Sequence, residues 1–93
     1  MSDGARTWTF LSNYAHVLVC LAANPDARVH DIATEVGITE RRVTGILNDL
    51  AQAGIITVLK TGRRNRYTID SKARLRHPLE THKTVGDLLN GVL

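Results

Sequence analysis

Apolar residues return at three- and four-residue intervals near the start of the chain, at Phe10, Tyr14, Val17, Leu18 and Leu21. That spacing lines one face of a helix and predicts one from about Thr9 to Ala23, ended by Asn24-Pro25-Asp26. The opposite face carries Ala15, Val19 and Ala22, with Trp8 near the start, so this helix is apolar on both sides. Such an element is covered all round, and in a small protein part of the cover can come from a second copy. A short extended piece at Arg28-Val29 then leads into DIATEV, read as a brief helix. Gly37 suits a left-handed turn at its end, Ile38 can drop into the core, and Thr39 is a good N-cap for the next helix. Val43, Ile46, Leu47 and Leu50 keep the spacing i, i+3, i+4, i+7, so this third helix turns that stripe inward.

After Gly54 the pattern changes period. Ile55 to Leu59 reads as a strand, Gly62 as a turn and Arg66 to Ile69 as the return strand. Alternation places Ile56, Val58, Tyr67 and Ile69 on the core side, with Arg66 and Thr68 pointing away. Farther on, Thr84 and Asp87 form a capping pattern, and Val85, Leu88, Leu89 and Val92 line one face of a helix from Val85 to about Val92. So short a helix is not stable alone. Two placements are open: it covers the first helix of its own chain, or it joins the back face of that helix (Trp8, Ala15, Val19) in a two-fold interface between copies.

Composition narrows the class. The chain has 93 residues, 43% of them hydrophobic, enough for one compact domain. No run of eighteen apolar residues occurs and the start does not resemble a secretory signal, so a cytoplasmic protein is expected. A single cysteine, Cys20, lies within the apolar first helix and reads as a small buried hydrophobe. The net charge of +3 is mild, but its distribution is uneven: Lys60, Arg63, Arg64, Arg66, Lys72, Arg74 and Arg76 stand against Asp70 alone between positions 60 and 76. Clustering of that kind points to a partner with regularly spaced negative charge, and its placement on strands favours nucleic acid over a membrane surface.

Ala33, Gly37, Val43 and Ile46 sit at the separations expected of a helix-turn-helix: a small residue where two helices cross, a turn glycine, and two apolar anchors of the second helix. With the basic stretch KTGRRNRYTI just downstream, positions 10–70 resemble a winged helix-turn-helix transcriptional regulator of the MarR-like group. The resemblance implies a mainly α fold with a small β-hairpin, a three-helix core plus wing, followed by the short C-terminal helix. On this reading residues 1–93 are one domain, with the core at about 9–70 and the packing or dimerisation helix at about 84–93. It also implies sequence-specific binding of double-stranded DNA, with the third helix in the major groove and the wing on phosphates or the minor groove.

The residues support that chemistry on their own terms. With about 100° of rotation per residue, Arg41, Gly45, Asn48 and Gln52 lie opposite the buried stripe, flanked by Arg42, Thr44 and Asp49. Arginine can pair with guanine and asparagine or glutamine with adenine in the major groove. Two arginines at a helix start oppose its dipole, and a mid-helix glycine costs about 1 kcal/mol, so neither feature is explained by folding. The expected DNA-binding set is Thr39, Arg41, Arg42, Thr44, Gly45, Asn48, Lys60, Arg63, Arg64 and Arg66. Charge on an exposed hairpin also deters edge aggregation, but lysine would serve for that, and three arginines point to phosphate or minor-groove contact. A homodimer through the first and C-terminal helices is expected, since regulators of this class read half-sites about 34 Å apart.

The competing reading is a winged-helix module for protein partners without DNA binding, for which an acidic third-helix face and an uncharged wing would be the signs. An enzyme is not expected. There is no glycine-rich phosphate loop, no usefully spaced pair of carboxylates and no nucleophile with a base. His77 and His82 face different sides of a helix and His16 and His30 are far apart, so no metal site is expected, nor any cofactor. Few exposed aromatics are available to stack on unpaired RNA bases.

Overall fold

The computed structural model describes residues 8–93, so the first seven positions of the expected 1–93 unit lie outside the described residues. The elements run α1 (Asn13–Ala23), α2 (Val29–Val36), α3 (Glu40–Gln52), β1 (Ile56–Thr61), β2 (Arg64–Ile69) and α4 (Val85–Val92). This is the expected mainly helical arrangement with one antiparallel hairpin and a short C-terminal helix.

Helix α1 starts four residues later than the periodicity suggests. The Ser12 hydroxyl accepts from the Ala15 N–H at 3.4 Å and caps the helix there. Thr9 instead bonds the Leu11 carbonyl, and Phe10 stands outside the helix, 92% exposed, in edge-on contact with Trp8. Ala15, Val17, Leu18 and Leu21 are buried, while Val19, Cys20 and Ala22 are partly covered. Arg28 is extended as anticipated, but Val29 is already helical, the first residue of α2. Gly37 adopts φ +84°, where its N–H and that of Ile38 both reach the Ala33 carbonyl, closing α2 and turning the chain into α3. Thr39 caps α3, its hydroxyl accepting from the Arg42 N–H at 3.0 Å.

The inward stripe of α3 is the centre of the core. Val43, Ile46, Leu47 and Leu50 are buried together with Val17, Leu18 and Leu21 of α1 and Ile32 and Ala33 of α2. The hairpin adds only its root. Ile56 pairs with Ile69 and Val58 with Tyr67, which puts all four on one face as alternation requires. Ile56 and Tyr67 are buried, but Val58, directly opposite Tyr67, is 39% exposed, so at that level the cover lies over β2, where the Pro25 linker is bonded, and not over β1. Thr61 pairs with Arg64, leaving Gly62 and Arg63 as a two-residue loop. Gly62 has φ +64° and Arg63 does not have positive φ, the pattern of a type II′ turn matched to the twist of the strands.

Helix α4 packs back on its own chain. Its Thr84 cap and Asp87 exchange hydrogen bonds at 3.0 and 3.1 Å, the anticipated capping box. Bonds from the Thr84 backbone and hydroxyl hold the Asp87 carboxyl below its ordinary range. Val85 and Leu89 are buried against the core, so the placement over α1 of the same chain is realised for these two side chains. The start of α4 sits tightly on the segment after β2: Val85 N–H bonds the Ala73 carbonyl and Gly86 N–H bonds that of Ser71.

A side chain at position 86 would meet the Ser71 carbonyl oxygen at 2.9 Å. Helix propensity alone favours Gly86→Ala by about 1 kcal/mol. Backbone crowding of this kind typically costs about 1–3 kcal/mol and outweighs it. The expected outcome is a lower urea midpoint for Gly86→Ala, with loss of the helical signal from α4; a midpoint above the wild type's would contradict the packing.

Candidate nucleic-acid interface

Burial of the stripe fixes which side of α3 is offered to a partner. Thr39, Arg41, Arg42, Thr44, Asn48 and Gln52 are exposed and Gly45 is half-buried in their midst. An added Cβ at Gly45 would meet nothing within 4 Å. Its lack of a side chain is therefore not required by packing, and the backbone of α3 is open to approach at that point.

The exposed residues are not equivalent. Among the described residues, no hydrogen bond or ion pair engages the side chains of Arg41 and Asn48. Thr39 spends its hydroxyl on the cap, and the Thr44 hydroxyl donates to the Glu40 carbonyl at 3.1 Å, leaving its methyl and an acceptor lone pair outward. Arg42 leans on α1: its guanidinium lies 5.4 Å from the centre of the Tyr14 ring, and the Tyr14 hydroxyl donates to the Asp49 carboxylate. The positive charge of Arg42, unfavourable at a helix start, is thus met by an aromatic face with an acid beside it. At the same end Glu40 contacts His30 of α2 at 3.1 Å.

The wing cations divide in the same way. Strand alternation sets Lys60 on the face shared with Asn65 and Tyr67, and Arg64 and Arg66 on the other, with Arg63 at the turn. Lys60 and Arg63 have no ion pair or side-chain hydrogen bond among the described residues. Arg66, by contrast, donates from Nη1 to both carboxylate oxygens of Asp26 at 3.1 and 3.0 Å, and Arg64 reaches the Asp26 carbonyl at 3.5 Å. The Tyr67 N–H donates to the Pro25 carbonyl at 3.0 Å, so the linker between α1 and α2 runs along the free edge of β2.

That junction forms a depression of about 430 Å³ whose walls include Arg28, Arg63, Arg64 and Asn65. Helix α2 starts there with no side-chain cap on its first amides. Sequence reasoning misses Tyr14, Asp26 and Arg28 as members of this surface. By pattern Tyr14 is only an apolar-stripe residue and Asp26 only a turn residue, and nothing local reveals a contact made across 35 or 40 positions.

Cys20 offers no nucleophile. Its thiol donates to a carboxylate oxygen of Glu35 at 3.3 Å, and burial, with help from that acid, pushes its pKa up to about 11. At neutral pH it stays protonated.

The open space at Gly45 yields a two-part expectation. Gly45→Ala should stabilise the free protein by about 1 kcal/mol, since it gains helix propensity without a clash. Gly45→Leu should also leave a folded protein, while DNA affinity falls if the backbone is approached closely there. Urea denaturation and a duplex-binding titration of both variants check the pair; unchanged duplex affinity for Gly45→Leu would remove the close-approach role.

No curated protein matches the chain significantly. The model of the MarR family matches residues 12–62, from the cap of α1 to the glycine of the wing turn, which is 51 of the 93 residues. Among the described residues no helix is long and apolar enough to cross a membrane. With the helix-turn-helix and the hairpin built as described, the chain belongs to the MarR family, a family of DNA-binding transcriptional regulators.

Proposed function

We propose that residues 1–93 act as one winged helix-turn-helix unit that binds double-stranded DNA sequence-specifically in the cytoplasm as a transcriptional regulator, with no enzymatic activity. The observation that carries this reading is the outward face of α3, where Arg41 and Asn48 stand without partners among the described residues on either side of an unobstructed Gly45. Groups that donate and accept hydrogen bonds toward water gain nothing for the fold, and they have the chemistry to read base edges. In the complex α3 enters the major groove. Arg41 and Asn48 pair with bases, Thr44 presents its methyl or lone pair, and Arg42 at the α1 edge meets a flanking phosphate, with Thr39 at the helix start beside the backbone.

The wing lies over the neighbouring backbone or minor groove. Lys60 and Arg63 are free to neutralise phosphates, Arg64 lines the depression at the start of α2 with Arg28, and Arg66 joins them once released from Asp26. The self-repulsion of these cations is then relieved by the phosphates.

The protein acts as a homodimer through α1 and α4. Ala15 is already covered within the chain and Val85 and Leu89 are used up in packing, which narrows the surface offered to a second copy. The apolar groups still open are Trp8 at 68% exposure, Phe10, and the last turn of α4 with Val92 and Leu93. Phe10 and Leu88 line one groove between the approach to α1 and the start of α4. Light scattering across a concentration series should give the mass of a dimer, and Phe10→Glu should shift it to the monomer; a monomer at high concentration removes the interface.

The two halves of the DNA surface are separable by experiment. If about three wing cations per protomer meet phosphates in a dimer, counterion release gives a log–log salt slope of about −5 from the wings. Replacing Arg63 and Arg64 together by alanine should flatten that slope on every duplex. Arg41→Ala should instead erase about 1–3 kcal/mol of preference between the best and a random duplex while leaving the slope nearly intact. Equal effects of both variants on sequence preference would contradict the division.

A further inference from the structure

The wing is a stretch of cations without an acid, yet one acid is docked on it. Asp26 comes from the linker between α1 and α2, and both its carboxylate oxygens accept from Nη1 of Arg66, while its carbonyl faces Arg64. The contact is not a chance meeting of two long side chains. The Asp26 N–H is bonded to the Asn24 side chain at 3.1 Å, and the Pro25 carbonyl is bonded to the Tyr67 backbone, so the carboxylate is carried on a loop tied to the strand that carries Arg66.

Exposure and chemistry define the scope of the contact. The Arg66 and Asp26 side chains are 55% and 50% exposed, so solvent and a polyanion can reach both. A carboxylate also presents the same pair of acceptor oxygens to a guanidinium as a backbone phosphate does. The two cannot hold Nη1 of Arg66 together. The structure holds the pair at 3.0 Å, and an exposed pair of this kind is weak enough for a polyanion to displace it.

We propose that Asp26 is an internal stand-in for a DNA phosphate, which occupies Arg66 in the free protein and must be displaced before that arginine can engage a duplex. The device lowers the affinity of the wing for any polyanion and sets the salt range over which the protein lets go of nucleic acid. Asp26 touches Arg66 rather than the DNA. It is a counter-ion, and its removal acts through Arg66 alone. This inference rests on the DNA-binding reading of the wing.

The test measures wild type, Asp26→Asn, Arg66→Ala and the double variant on a random-sequence duplex over a salt series and on a heparin column, with thermal melting to confirm folding. Asp26→Asn should bind the duplex several-fold more tightly at moderate salt. Its slope should be steeper by up to about 0.9 per protomer, because no freed carboxylate then takes up a cation to offset the counterion that the Arg66 phosphate contact releases, and it should leave heparin at higher salt. Arg66→Ala should change the wild-type slope little but remove the whole gain in the Asp26→Asn background. Asp26→Glu, which keeps the charge, should behave as wild type.

An unchanged or shallower slope for folded Asp26→Asn overturns the proposal, as does an Arg66→Ala variant that flattens the slope equally in both backgrounds. The heparin arm separates this inference from the reading beneath it. A later heparin elution of Asp26→Asn with no duplex binding by any variant would support the counter-ion and defeat the DNA reading; no binding to either by any variant defeats both.

Discussion

The structure depends on one packing constraint, the burial of Val43, Ile46, Leu47 and Leu50 against α1 and α2. Four apolar side chains at helical spacing leave α3 a single rotation that removes them from water, and each is worth roughly 1.5–3 kcal/mol of burial. A turn of the helix by one position would expose part of that stripe and bury Arg42 or Asn48 without a partner. The hydrophobic face therefore selects the polar one. The outward face proposed to read bases takes its orientation from the core, and the Gly37 turn with the Thr39 cap fixes where the helix starts.

Most of this was legible in the sequence, because the signals are local. The α3 stripe, the Gly37 turn, the Thr39 cap, the Gly62 loop and the Thr84–Asp87 capping box each involve residues within a few positions of one another. The misreadings have the same explanation in reverse. Phe10 fits the α1 period, but Ser12 captures an amide and starts the helix after it. Val58 fits the strand alternation, but its partner Tyr67 takes the cover at that level, next to the Pro25 linker, and alternation does not show which strand the neighbouring segments cover. The contacts of Asp26 with Arg66 and of Tyr14 with Arg42 and Asp49 join distant positions through ordinary surface residue types, and no periodicity marks them.

The electrostatics obey a common rule across the proposed interface. Each cluster of cations is partly compensated by something borrowed from outside its own element: Arg42 by the Tyr14 ring and Arg66 by Asp26. Compensation of this sort lowers the cost of gathering charge on a small folded protein without spending the charge. An exposed pair is held loosely and exchanges its partner when a stronger array of anions arrives.

The uncompensated residues are then the informative ones. Arg41 sits one position before Arg42, feels the same unfavourable helix end, and meets no aromatic face or acid among the described residues. Arg63 sits one position before Arg64 and is likewise left to solvent at the wing tip. The chain settles neighbouring arginines onto partners, and the proposed duplex would supply the anion or acceptor that these two lack among the described residues. A surface selected only for solubility would gain by pairing them, and acids were available nearby at Glu40 and Asp49, both turned to other groups. On the proposed reading, the arginines on α3 and at the wing tip that have no partner among the described residues are the places where the nucleic acid completes the electrostatics.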